Sequence, residues 1–451
     1  MNPIERRAAI SLALVYATRM LGLFMILPVF AIYAEQLVHV TPFLVGLAIG
    51  IYGLTQAALQ IPFGAWSDRI GRKPVIVTGL LIFVIGSVIA ALADSIYWVI
   101  IGRALQGAGA IASAVMALAS DLTREEHRTK VMAIIGASIG ATFMVALVLG
   151  PILEAWVGVP GIFWVTAILA AMSIFVVAFL IPTPVRLSQH TSNDKQVSLM
   201  SVLGDSQLLR LDMGVFILHM SLTAIFVVVP LMLRDQYELF VDVHWKVYLS
   251  VLVVSLVLLV PTIVLSEKFN KTKLTFSVAI LLCASGMLIM LGEVESFALF
   301  SVAMVLFFWG FNFLEASMPS LVSKLSNPIT KGMSMGVFSS SQFLGAFVGG
   351  VTAGYLLQNY DQSAVFMFAF IMFLLWFLVA SSMQAPVDFK SYTAELGNMK
   401  NTQIDQVAAA LQALPGVAEA TIIAEEGVAY LRVNKNTFEE DKVKAVCAQF
   451  K

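Results

Sequence analysis

Apolar residues run along this chain in long stretches broken by short polar gaps, and the alternation continues to about residue 384. A hydrocarbon layer about 30 Å thick takes about 20 apolar residues per helical crossing. Twelve stretches reach that length: about 8–34, 42–65, 74–93, 96–120, 130–157, 161–182, 212–233, 245–266, 274–292, 297–324, 332–357 and 363–384. The expected fold is an all-α membrane protein of twelve transmembrane helices, followed by a soluble tail over 386–451.

The longest interruption, about 183–211, contains Pro184, His190, Ser192, Asn193, Asp194 and Lys195 and reads as a central loop between a six-helix half at 1–182 and another at 212–385. The halves echo each other. Asp68-Arg69-Ile70-Gly71-Arg72 matches Glu267-Lys268-Phe269-Asn270-Lys271 in charge order at an offset of 267 − 68 = 199, and Lys130-Val131-Met132 matches Lys331-Gly332-Met333 at 331 − 130 = 201. Two parallel halves about an axis along the membrane normal are a repeat pattern of secondary transporters, whose substrate site lies between them near the midplane.

Composition agrees: 59% of the 451 residues are hydrophobic, 12% are charged, and the mean hydropathy is +0.90. Ordinary soluble domains carry about 25% charged residues. The net charge of −1 is uninformative, but its distribution orients the chain. With a cytoplasmic amino terminus, the cytoplasmic gaps hold Arg6, Arg69, Arg72, Lys73, Arg124 and Lys331 among many others, and the opposite gaps hold only Arg234 and Lys246. Both termini are therefore expected in the cytoplasm of a bacterial cell, with the protein in its inner membrane and the lipid bilayer as its surroundings. The first stretch is too long for a signal-peptide core and is expected to stay in the mature protein. Cys283 and Cys447 have neither disulfide nor metal-ligand spacing. No nucleotide loop, metal constellation or nucleophile triad is seen, so neither an enzyme, a bound cofactor nor a nucleic-acid partner is expected.

Gly64-Ala65-Trp66-Ser67-Asp68-Arg69-Ile70-Gly71-Arg72-Lys73 sits in the gap between the second and third stretches and resembles motif A of the major facilitator superfamily. Arg103 to Ala110 is similar to motif B in the fourth helix, and Leu21 to Pro28 to the first-helix motif of the drug:proton antiporter branch. In the fifth, Gly136, Gly140, Gly150 and Pro151 are similar to the antiporter motif, which here has Ala146 at one glycine position and Glu154-Ala155 in place of the closing pair. The glycines and the Gly-Pro step are expected to bend that helix. The resemblance implies proton-coupled alternating access. It places Asp68 against the amino end of the eleventh helix, near Lys331, as a latch of the outward-open state, with Arg72 and Asp121 adding an ion pair.

Ionisable groups inside a membrane are functional candidates because burying them is costly; Arg19, Arg103, Glu154, His219 and Glu315 qualify. The resemblance puts helices 1, 4, 7 and 10 around a central cavity. Glu315 is read as a proton carrier or as a carboxyl fixed in helix packing, and His219 as its relay or as a packed histidine. The resemblance to motif B implies that Arg103, one turn from Gln106, influences the proton site, the other reading being a structural arginine; Arg19 is read as pairing with Glu315 or with an anionic substrate, or as a water-bathed cavity arginine. Glu154 reads as a solvated rim residue rather than a coupling acid. Phe24, Met25, Tyr52, Gln56, Gln60 and Met116, with Asn312, Ser339, Ser340, Ser341 and Gln342, are expected to line the substrate cavity.

In the tail, Ile404, Val407, Ala408, Leu411 and Leu414 fall at helical spacing before Pro415-Gly416, and 418–424 and 428–434 alternate as strands around Glu425-Glu426-Gly427. Thr437-Phe438-Glu439-Glu440 reads as a capping box opening a last helix. With a strand at about 390–396 the order is β-α-β-β-α, close to a ferredoxin-like domain. It resembles heavy-metal-associated domains without their Cys-x-x-Cys, since 397–401 is Gly-Asn-Met-Lys-Asn, so a regulatory or dimerising module is expected rather than a metal carrier. The readings left open are proton-coupled efflux of small amphipathic molecules, proton-driven uptake of a metabolite, and a transporter-derived sensor signalling through the tail.

Overall fold

The computed structural model describes residues 1, 3–182, 199–269, 271–292, 294–326, 330–383, 389–396, 404–423, 428–434 and 437–449. Residues 183–198 of the expected central loop, the loop at 397–401 and the turn at 425–427 lie outside them. The chain divides into two units, Met1–Met383 and Gln384–Lys451.

The first unit is helical. Its helices are α1 (Pro3–Phe24), α2 (Leu27–Ala34), α3 (Pro42–Ile70), α4 (Arg72–Ala91), α5 (Ile96–Ala108), α6 (Ala112–Asp121), α7 (Glu125–Phe175), α8 (Leu199–Leu203), α9 (Ser206–Asp235), α10 (His244–Lys268), α11 (Thr272–Leu291), α12 (Phe297–Leu325), α13 (Lys331–Asn359) and α14 (Gln362–Ser381). Among the described residues, ten helical segments are long and apolar enough to cross a membrane. The first expected stretch is broken between α1 and α2, where Pro28 cannot donate a backbone bond, and the fourth is broken at Gly109. The stretches at 130–157 and 161–182 are two helices that meet at a kink at Gly158 (φ 67°) within α7, as the expected division has it, and the second ends in a π turn at Val176–Leu180. One boundary departs from expectation: the last part of the expected loop is helical over Leu199–Leu203 and again from Ser206. Asp205 caps α9 by accepting from Gln207 N at 2.8 Å and Leu208 N at 3.3 Å, and Leu208 and Leu211 are buried, so packing carries the helix through a polar stretch that reads as a connector.

Helix pairings recur along the chain. In a first set, α4 packs on α5 and α7, α3 on α5, and α1 on α7; in a second, α11 packs on α12 and α14, α10 on α12, and α9 on α13. The sets meet where α3 lies on α13, α7 on α10 and α2 on α9. The ends of α3, α12 and α14 next to Arg69, Arg72, Lys73, Arg124 and Lys331 are called the basic end below, and the opposite one the far end.

In the second unit, β1 (Phe389–Glu395), α15 (Ile404–Gln412), β2 (Val417–Ile423), β3 (Val428–Asn434) and α16 (Glu440–Gln449) follow the expected order. The sheet order is β1-β3-β2, both pairings antiparallel, with Tyr392 opposite Leu431 and Ala420 opposite Leu431 on its other side. Leu396, Val407, Leu411, Leu431, Val433, Val443 and Cys447 form its core, so Cys447 acts as a small apolar side chain. The last helix begins at Glu440, three residues after the expected cap at Thr437.

Candidate functional site

The motif at 64–73 is built on a single-residue joint. Gly71 alone separates α3 from α4, at a φ of 106° that a side chain would strain. That turn folds Arg72 back over the end of α3. Its Nη1 donates to Ser67 Oγ at 2.8 Å and to the Asp68 carboxylate, and its Nε donates to Asp121 Oδ2 at 3.0 Å, so the expected Arg72–Asp121 pair is present. Arg69 is exposed and Lys73 half-buried, while Gly64 rests on Ser113 of α6. Asp68 does not meet α13 in this state. Its side chain is 59% exposed, and a Cβ added at Gly332 or Gly336 of α13 would meet nothing within 4 Å.

The reason is that the sets are apart at the basic end and pressed together at the far end. A Cβ at Gly46 would lie 2.1 Å from Gly350 O, one at Gly53 2.3 Å from Phe343 O, and one at Gly354 2.5 Å from Pro42 O. Small residues let helix backbones approach this closely in a membrane. Gly136 and Gly140, near the basic end of α7, face open space, whereas Gly150 packs on the Met25 carbonyl at the break between α1 and α2. The far end is also tied by polar contacts: Arg234 at the end of α9 donates to both oxygens of Glu35 after α2, at 2.6 and 2.9 Å, and Phe43 N donates to Gln358 Oε1 at 3.2 Å. At the basic end, the pairs Arg72–Asp68, Arg72–Asp121 and Arg124–Glu5 lie within the first set.

Within the second set, α9, α12 and α13 bring three expected residues together. His219 Nε2 lies 2.8 Å from Gln342 Nε2 and 3.7 Å from Glu315 Oε2, and its Nδ1 lies 3.2 Å from Val215 O. With the amide nitrogen of Gln342 turned toward the ring, Nε2 is the acceptor and Nδ1–H donates to the carbonyl; the amide oxygen in its place would accept from Nε2–H instead. The Glu315 side chain is 35% exposed, and Phe311 packs on the imidazole at 5.8 Å. Protonating Nε2 would set a donor against the amide N–H, so the amide has to turn or withdraw while Glu315 gains a partner.

Arg19 bonds to Gln56 rather than Glu315, and Arg103 Nη1 donates to Gln106 Oε1 at 2.9 Å, as their shared face suggests. Of the expected cavity residues, Phe24, Met116, Asn312, Ser339, Ser340, Ser341 and Gln342 are partly exposed, whereas Met25, Tyr52, Gln56 and Gln60 are buried in this state. Asn312 donates to Ser255 Oγ of α10 at 3.2 Å, and Glu154 stays at the far end of α7 with intermediate exposure.

The Major Facilitator Superfamily model matches residues 12–239 and 211–397. The chain belongs to the Major Facilitator Superfamily. This facilitator is a multi-pass membrane transporter and not an enzyme. It is 43% identical over 447 residues, 97% of each chain, to the inner membrane transport protein YajR of Escherichia coli (strain K12). Its fold is similar to that of a bacterial homologue of the human lysosomal transporter Spinster in an inward-facing and occupied conformation (TM-score 0.68, 13% identity, 85% of this chain and 98% of that one). It is likewise similar to the human organic anion transporter MFSD10 (TM-score 0.63, 18% identity, 84% and 100%).

One candidate escapes a linear reading of this facilitator. Asp212 is buried in the second turn of α9, two turns before His219 on the same face, and makes no ion pair or hydrogen bond among the described residues. Because the seventh stretch reads as starting at 212, Asp212 passes for a boundary residue; its spacing of seven from His219 is the signal that marks it. At the far end, Arg234→Gln removes the two bonds to Glu35. Partly exposed, charge-assisted pairs are worth about 1 kcal/mol, so the balance between far-end-closed and far-end-open states moves about fivefold toward opening. Thiol alkylation rates of a cysteine placed at Phe43 measure it, and an unchanged rate would remove the pair from the gate.

Proposed function

We propose that this chain is a proton-coupled exporter of small amphipathic compounds that works by alternating access in the inner membrane, with its basic end and both termini in the cytoplasm. The observation that carries this reading is the titratable pair Glu315–His219, partly exposed inside a helical bundle and bonded through Gln342 to the helix that packs on the other set. A carboxyl there exchanges its proton with whichever side the bundle faces, and the proton state of His219 decides which face of the Gln342 amide serves the α9–α13 hydrogen bond. The proton is the coupling ion, and no cofactor takes part.

Reading α7 as two crossings joined at Gly158, and α13 as a further crossing, brings the ten membrane-capable segments to 10 + 1 + 1 = 12 in two six-helix halves. In this frame the described state is open to the cytoplasm, and Asp68 docks on the amino end of α13, where a helix dipole favours a carboxylate, once the basic end closes. The tail is a ferredoxin-like module by its strand order, with a regulatory or dimerising role.

The test uses full-length protein in liposomes that hold a pH dye. After a pH gradient is imposed, lipophilic cations, neutral drugs and amphipathic anions are added in turn. Proton movement triggered by a transported compound, in the direction opposite to that compound, is the expected result. Movement of both in the same direction would make the protein an importer, and compound flux with no proton movement would end the coupling claim.

A further inference from the structure

Two arginines lie in the first set without an acid to balance them. Arg19 of α1 and Arg103 of α5 are each 1% exposed. Their guanidinium carbons lie 5.7 and 5.2 Å from the centroid of one ring, that of Tyr52, and Arg19 lies 5.6 Å from that of Phe83. A guanidinium keeps its proton in proteins, so both are cations in a setting that solvates charge poorly. Every partner they have is neutral. Arg19 Nη2 donates to Gln56 Oε1 at 2.5 Å, Arg103 Nη1 donates to Gln106 Oε1, and Arg103 Nε reaches Ala48 O at 3.4 Å. No described carboxylate forms an ion pair with either.

Four polar atoms are left over. Arg19 Nε, Arg19 Nη1, Arg103 Nη2 and Tyr52 Oη are buried with no hydrogen-bond partner. An uncompensated buried ion is costly, and a cation over an aromatic face recovers only part of that cost. The pair is nevertheless held firmly in place. Gln106 Nε2 donates to Ser87 Oγ at 2.8 Å, which itself donates to Phe83 O at 2.7 Å, and Gln56 Nε2 donates to Gln60 Oε1 at 3.3 Å. Both glutamines that orient the guanidiniums are therefore anchored, an arrangement that keeps donors pointed before a ligand arrives.

We propose that Arg19, Arg103 and the Tyr52 hydroxyl bind the anionic head group of an amphipathic substrate, a carboxylate or a similar singly charged group, with the rings around them taking its apolar body. This rests on the export reading and names the class of compound exported. The spare donors of a guanidinium suit the two oxygens of a carboxylate. Tyr52 packs on Phe343 of α13, ring centroids 6.2 Å apart, beside the contact of Gly53 with the Phe343 carbonyl. The site therefore abuts the seam between the two sets, and parting of α3 from α13 uncovers it.

The experiment measures equilibrium binding of 2-naphthoate, 2-naphthamide and 2-naphthylmethylamine to full-length protein in nanodiscs, with no pH gradient. Naphthoate is expected to bind at least tenfold more tightly than the other two. Arg19→Gln and Arg103→Gln are each expected to weaken naphthoate at least tenfold and to leave naphthamide unchanged. Should either fail to fold, Arg19→Lys and Arg103→Lys, which keep the charge and lose the fork, are expected to weaken naphthoate by a smaller factor. Equal binding of the three probes, or naphthoate affinity undiminished in the variants, would overturn the proposal. If cations drive proton movement in liposomes while naphthoate fails to bind, export stands and the anion site falls; if naphthoate binds and no proton moves, the site stands and the coupling falls.

Discussion

Gly350→Leu is expected to abolish transport by at least tenfold and to trap the protein with its far end open. A Cβ at Gly350 would lie 2.4 Å from Gly46 O and 3.1 Å from Gly50 Cα, with backbone rather than a movable side chain in the way. Association of membrane helices depends on such close approach, so a leucine has to push α3 and α13 apart where they now touch. A cysteine at Phe43, in a background lacking Cys283 and Cys447, reports the change as more than tenfold faster labelling by an impermeant maleimide. Gly336→Leu is the paired control. Gly336 faces open space here, so leucine costs little in this state and obstructs closure of the basic end instead, slowing the same labelling. Identical labelling in the two variants would sink the two-ended account; a monodisperse elution profile for both excludes misfolding as the cause.

Glu315→Gln is expected to remove substrate-triggered proton movement by at least tenfold while substrate affinity stays within about threefold. The amide keeps the volume of the carboxyl and its reach toward His219, 3.7 Å away, and cannot take up or release a proton. The pH dependence of exchange should flatten in the same variant, because an interaction made in only one protonation state is gone. Coupling retained at the wild-type level would pass the role to another group. Asp212, buried two turns along α9 from His219, is the one to test next.

The chain's apolar pattern locates nearly every membrane helix and the order of the tail, because each such element has to match a lipid layer or a small core with its own residues. The resemblance carried by the 64–73 motif implies the Arg72–Asp121 pair, and the cavity helices it names bring His219 and Glu315 into reach of each other. What the pattern misses depends on lateral neighbours. The Arg234–Glu35 pair joins residues 199 positions apart, and the gathering of Arg19 and Arg103 on Tyr52 draws on three helices. The start of α9 is hidden for a different reason: Asp205 and the buried Leu208 and Leu211 make a helix of a segment whose polarity resembles a loop. Asp68 follows neither pattern, since its partner depends on which end of the bundle is open.

Two of the joints in the first set have no slack. α3 passes to α4 through Gly71 alone, and the long helix α7 turns at Gly158 without leaving helical structure on either side. With so short a connection, the direction of α4 relative to α3 depends on the two backbone dihedrals of Gly71, so a side chain at that position would be felt at once in the contacts of Arg72 with Ser67, Asp68 and Asp121.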